Sequence, residues 1–209
     1  MAQLRVYLPI ENLQIQLAAF LGSPTTGRGY LPLAGGNSLI IEIAPGMAIH
    51  RVADLAMKSI SSVEPGLLFV ERQFGILELH SDSPTDLKKA GEAILKGLGA
   101  KATDQLKPKT LFTDIIENVT DQHAVLINRT RRGSLITPGE SLLLYEMSPA
   151  LFSLLAANEA EKAVPSINLV EVREIGASGR VFLSGDLADL IAARDHIEKA
   201  LSRVKGQEN

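Results

Sequence analysis

Glu71 and Arg72 are adjacent, opposite in charge and set between two apolar, branched runs at 67–70 and 76–79. Runs of this kind bounded by a short glycine-containing segment read as the strands of a β-hairpin. Glu71, Arg72, Gln73, Phe74 and Gly75 then form its tip. On one isolated turn the pair is solvated and contributes only about 0–1 kcal/mol. Repeated around a symmetry axis, it becomes a ring of carboxylates and guanidiniums. A small aperture lined in this way selects what crosses it by charge and diameter. Arginine reaching toward glutamate narrows the opening, and swinging away widens it. So weak a pair is bistable and is biased by modest ligand contacts.

Other chemistry lacks its parts. His50, His80, His123 and His196 are far apart in sequence and the chain has no Cys. No metal site is expected, and the histidines read as structural or exposed. Gly27-Arg28-Gly29 is too short for a dinucleotide fingerprint, and no phosphate loop ends in Gly-Lys-Ser or Gly-Lys-Thr. Gly176-Ala177-Ser178-Gly179 lacks the Gly-x-Ser-x-Gly spacing of a nucleophile elbow and reads as a hairpin turn. No two carboxylates are set by sequence as an acid–base pair. Arg129, Arg131 and Arg132 read as a solvated or intersubunit face. No catalytic residue and no cofactor are expected, and the chain is not read as an enzyme.

Charge and composition narrow the partners. Lys and Arg number 21 against 24 Asp and Glu, a net charge of −3, which argues against nucleic-acid binding by bulk charge. Trp is absent and aromatics are 4%, so base-stacking platforms are not expected. No run approaches the roughly 18 apolar residues of a membrane span. The N-terminal stretch has no charged head followed by a cleavage site. Together with the missing Cys this points to the cytosol.

The elements that position these residues occur twice. Sliding the sequence so that Gly35 falls on Gly139 also aligns Arg28 with Arg132, Glu42 with Glu146, Pro45 with Pro149, Lys58 with Lys162 and Gly75 with Gly179. Two tandem copies of one domain are expected, at 1–103 and 104–209, joined near 102–107. Each copy opens with an extended segment, 4–8 or 110–116. A buried strand follows at 38–43 or 141–145. Next comes an amphipathic helix, with Ile49, Val52, Ala53, Ala56, Met57 and Ile60 on one face in the first copy. Its counterpart, 152–163, is rich in small residues. A hairpin comes next, with strands at 169–172 and 180–183 in the second copy. A last helix follows Asp82 or Asp186 as N-cap. In the second copy its apolar face is Leu187, Leu190, Ile191, Ile197, Leu201 and Val204. The expected fold is α+β, a small antiparallel sheet with helices on one face.

The stretches SLIIEIAPGMAIHRVADLAMKS, VERQFGILELHS, LINRTRRG and LAANEAEKA resemble the tandem-domain shell proteins of bacterial microcompartments. More narrowly, they are similar to the circularly permuted, double-stacking trimeric class of carboxysome and related shells. The likeness spans residues 4–204. It implies two permuted, ferredoxin-like shell domains per chain and a homotrimer forming a flat pseudohexagonal disc. Such discs tile a shell facet with other shell proteins, singly or stacked in pairs around a chamber. The resemblance sets Val70, Glu71 and Arg72 at a central gated pore for small metabolites. The second-domain loop is Glu174, Ile175, Gly176, Ala177, Ser178 and Gly179, and an aromatic is expected where Ser178 stands. Lys58 and Lys162 match the lysine of the edge helix, and Asn128 and Arg129 match an Asn-Arg pair near an edge. The segment SPTTGRG at 23–29 is unusual for the class. On the residues alone, a second reading stays open: a soluble regulator with tandem α+β domains binding a small metabolite.

Overall fold

The computed structural model describes residues 2–23 and 29–209. Most of the SPTTGRG segment, including Arg28 of the repeat and of the Gly-Arg-Gly motif, lies outside the described residues. The chain divides into two units, Met1–Lys107 with Lys205–Asn209, and Pro108–Val204.

The first unit runs β1 (Gln3–Ile10), α1 (Ile15–Leu21), β2 (Asn37–Ala44), a 3-10 turn (Gly46–Ala48), α2 (Ile49–Ser59), β3 (Glu64–Glu71), β4 (Phe74–Ser81) and α3 (Pro84–Leu98). The second repeats the plan with β5 (Lys109–Ile116), α4 (Asp121–Thr130), β6 (Ser141–Ser148), α5 (Phe152–Ala163), β7 (Asn168–Arg173), β8 (Gly179–Gly185) and α6 (Leu187–Ser202). The sheets are antiparallel, in the orders β1-β2-β4-β3 and β5-β6-β8-β7. Even their irregularities correspond. Register shifts fall between Leu4 and Val6 and between Thr110 and Phe112, then between Pro65 and Leu67 and between Leu169 and Glu171. Cis peptides precede Pro45 and Pro149.

Burial follows the period of each element. Val6, Leu8 and Ile10 alternate inward along β1, as a strand's two-residue period requires, and the bulge at Arg5 turns Leu4 to the opposite face, beside Ile43. Leu39, Ile41, Ile43, Leu77 and Leu79 on the sheet join Ile49, Val52, Ala53 and Ala56 of α2 and Leu87, Ala90 and Ile94 of α3 in one core cluster. In the second unit Ala156, Ala157 and Ala160 of α5 are buried. Their small side chains let α6 approach closely.

Four expectations are corrected here. The helices do not keep to one face, because β2 and β4 are buried on both sides. In the second unit Ala124 and Ile127 of α4 pack with Leu142 and Val170. Met57 and Ile191 are exposed rather than part of the apolar faces. The cap of α3 is Ser83, whose Oγ accepts from the Asp86 N–H at 3.3 Å, one residue beyond Asp82. Asp186 does sit at the N-cap of α6, but its side chain makes no capping bond.

Candidate functional site

The β3–β4 hairpin closes on Glu71 paired with Phe74, leaving Arg72 and Gln73 as a two-residue turn. Arg72 takes a left-handed backbone, φ 49°, a region that side chains other than glycine rarely enter. Its Nε lies 3.6 Å from Glu71 Oε1, and the two side chains are 90% and 35% exposed. The charged pair is therefore held at a projecting tip, with each partner free to break from the other at small cost. Val70 is half-buried beside it, and Gly75 is buried. A cavity of about 580 Å³ opens beside the tip, lined by Gln3, Pro45, Gly46, Met47, Val70 and Arg72 among others.

The tip stands on a rigid base. A Cβ on Gly75 would lie far inside van der Waals contact of the Gly46 carbonyl oxygen, so backbone meets backbone here and only glycine fits. Arg5, the bulged residue of β1, stacks its guanidinium 3.9 Å over the Phe74 ring and donates from Nε to Glu42 Oε1 at 2.7 Å. Glu42 is 1% exposed. Burial pushes its carboxyl above the usual carboxylate range, and Arg5 only partly draws it back.

The second-domain loop is built differently. Gly176 occupies the position of Arg72, with φ 124°. Glu174 is buried, and Arg132 donates to its Oε2 at 2.9 Å, to Glu171 Oε1 at 2.9 Å and to the Val172 carbonyl. This corrects the reading of Arg132 as part of a solvated or intersubunit face. Ser178 and Arg180 both donate to Glu146, which holds that carboxyl below the usual range. Ser178 thus stands where the first unit has the aromatic Phe74. Ile175 and Ala177 lie along the loop, and Gly179 packs against the Ala150 carbonyl as Gly75 does against Gly46.

Lys58 projects from α2 and pairs with Asp54 at 2.8 Å, and Lys162 projects from α5, 4.0 Å from Glu159. Arg129 is exposed on α4. The Asn128 amide is engaged within its own unit. It donates to the Ile136 carbonyl at 2.8 Å and accepts from the Ile136 N–H at 3.0 Å, a strand-like pairing that anchors the segment after α4. His50 and His196 are exposed and His80 is buried, and among the described residues no group is arranged to hold a metal ion. Arg5, Glu42 and the Arg132 network were not singled out from sequence. The available signal was a charged residue inside an apolar strand, Glu42 in SLIIEIA.

A family model, the CsoS1D N-terminal domain, matches residues 4–104. The carboxysome shell protein CcmP of Synechococcus elongatus is 42% identical over 207 residues, spanning 99% of this chain and 95% of that protein. The chain belongs to the tandem-domain shell proteins of bacterial microcompartments. Among solved shell proteins, the double-ringed trimeric MSM0271 from the RMM microcompartment is 52% identical, with a TM-score of 0.96 over 100% of both chains. The fused permuted hexameric shell protein MSM0275 from the same microcompartment is 43% identical, with a TM-score of 0.93 over 98% of this chain and 99% of that one. The two four-stranded sheets with their helices are thus the tandem shell-domain fold expected from sequence. As a shell protein the chain has a structural role and is not an enzyme.

Proposed function

We propose that three copies of this chain form a pseudohexagonal disc that tiles the shell of a bacterial microcompartment, and that discs pair into a double ring. The observation that carries this is the full-length match, at a TM-score of 0.96, to a double-ringed trimeric shell protein. In this reading Val70, Glu71 and Arg72 line a central pore, with Gln73, Phe74 and Gly75 forming the turn and its root, and the pore passes small polar metabolites. The second-domain loop, 174–179, borders the pore from the other domain. Lys58, Lys162 and Arg129 meet neighbouring tiles, and shell proteins of the same compartment are the partners. The exposed, weakly paired Glu71 and Arg72 support a gate, because a difference of about 1 kcal/mol suffices to redistribute two states.

Electron microscopy of the purified protein tests the assembly. Trimeric discs with a lattice repeat of about 65–70 Å are expected for six domains, each of radius of gyration about 13 Å. A monomer at high concentration, or hairpin tips pointing outward from the ring, would refute the reading. Glu71→Ala and Arg72→Ala are expected to leave discs intact and to remove the closed state of the pore, as read from its diameter in reconstructions. Failure of both variants to fold would mean that the pair is structural.

A further inference from the structure

At the other end of the β3–β4 ladder from Arg72, about 25 Å away at 3.3 Å per residue, Glu64 pairs with His80. The His80 side chain is 10% exposed and its Nδ1 lies 3.1 Å from Oε2 of Glu78, itself 2% exposed. Glu78 also accepts from the Ser38 hydroxyl at 2.7 Å and from the Gly66 N–H at 3.1 Å. A carboxylate accepts, so the proton of a neutral His80 ring sits on Nδ1, and Nε2 is left as a bare acceptor. Nε2 is buried and has no hydrogen-bond partner. What it faces is another acceptor, Glu64 Oε2 at 3.6 Å. With the ring neutral, two acceptors confront each other without a donor between them, and the buried one, Nε2, calls for a donor.

Both residues line a cavity of about 420 Å³. Its charged lining is acidic throughout, with Asp82 and Asp86 beside Glu64, and Leu31 and Leu33 supply an apolar wall. Asp86 accepts from Ser62 at 2.6 Å, and the same bond recurs between Asp189 and Ser166 in the second unit, so that contact belongs to the fold. The Glu64–Glu78–His80 set does not recur. The aligned positions hold Asn168, Phe182 and Ser184.

We propose that this cavity binds a small organic ammonium ion. The half-exposed Glu64 side chain swings aside to uncover His80 Nε2, the ligand's N–H groups then bridge Nε2 and the Glu64 carboxylate, Asp82 adds charge, and the carbon body rests on Leu31 and Leu33. Among the described residues the set occurs once, in the first unit, and the site does not depend on the pore reading. A proton on Nε2 fills the same gap, so ligand and proton compete. Burial disfavours the His80 imidazolium, but Glu78 and then Glu64 more than reverse this and hold it above the ordinary histidine value. Binding is therefore weak in acid and strengthens as pH rises through that titration. Affinity changes about tenfold per pH unit on the acid side.

The test is a titration of the full chain, labelled with ¹⁵N-histidine, by propylammonium chloride to about 10 mM. Tetramethylammonium chloride, which has no N–H, is the control. At about pH 8.5, propylammonium should shift the His80 ring signals saturably and lower the His80 titration midpoint, and the control should do neither. Glu64→Gln should weaken binding at least about tenfold while His80 still titrates. Glu64 is 55% exposed at a strand end, so this variant keeps the test valid whether or not His80→Gln, used for assignment, folds. No saturable shift, equal responses to the two salts, or an affinity indifferent to pH would overturn the proposal.

Discussion

Arg5 joins two features that sequence holds 37 residues apart, because its partner is Glu42 on the neighbouring strand. Truncating Arg5 to Ala would leave Glu42 buried without a cation. Such losses cost about 3–5 kcal/mol, and urea unfolding should report a stability loss of that size. The double variant Arg5→Met with Glu42→Leu should recover most of it. The aligned carboxylate in the second unit provides an internal control. Glu146 is partly solvated and pairs with Arg180, which is 54% exposed, so Arg180→Ala should cost only about 0–1 kcal/mol. At this scale sequence is nearly mute. Glu71 and Arg72 were legible as a pair because they are neighbours on a turn. Arg132 was misread because Glu171 and Glu174 lie 39 and 42 residues away. The orphaned Nε2 of His80 is likewise a product of the strand pairing with Glu64.

Elements were more legible wherever a two-residue or helical period ran unbroken. Every strand of both sheets was expected within a few residues of its place, and 152–163 was expected with its observed bounds. Two short helices were missed. α1 has seven residues and no side-chain cap, so it carries too little pattern to announce itself. α4 buries only Ala124 and Ile127 while exposing Val125 and Leu126. Its apolar residues therefore crowd both faces, and the helical period is blurred. The glycines at the hairpin roots make a sharp prediction. Gly75→Ala and Gly179→Ala each force a Cβ against a neighbouring carbonyl, and overpacking of this kind costs about 1–3 kcal/mol. Gly35, with φ 84° and no atom within 4 Å of where a methyl would stand, should lose only about 1 kcal/mol on substitution by Ala. Thermal unfolding of the three variants separates the steric cost from the conformational one.

For the molecule as a whole the internal repeat was the decisive signal, because two copies with one order of elements expose the architecture before any motif does. The repeat says nothing about which residues meet other copies. Lys58 and Lys162 both project from the helix that follows the cis-proline turn, and among the described residues each pairs with a carboxylate on its own helix. Lys58→Ala and Lys162→Ala should leave trimers intact by analytical ultracentrifugation and reduce sheet formation by electron microscopy. Sheets unchanged in both would remove these lysines from the tiling edge. Duplication also brings two solutions to one stereochemical problem into a single polypeptide. Where the second hairpin uses Gly176, the first carries Arg72 at φ 49°, a strain of about 1 kcal/mol for an L side chain. Selection for thermal endurance alone would drive that codon toward glycine. Selection for a working aperture would hold it at arginine, and the gap between the two outcomes would measure what the guanidinium is worth to the organism.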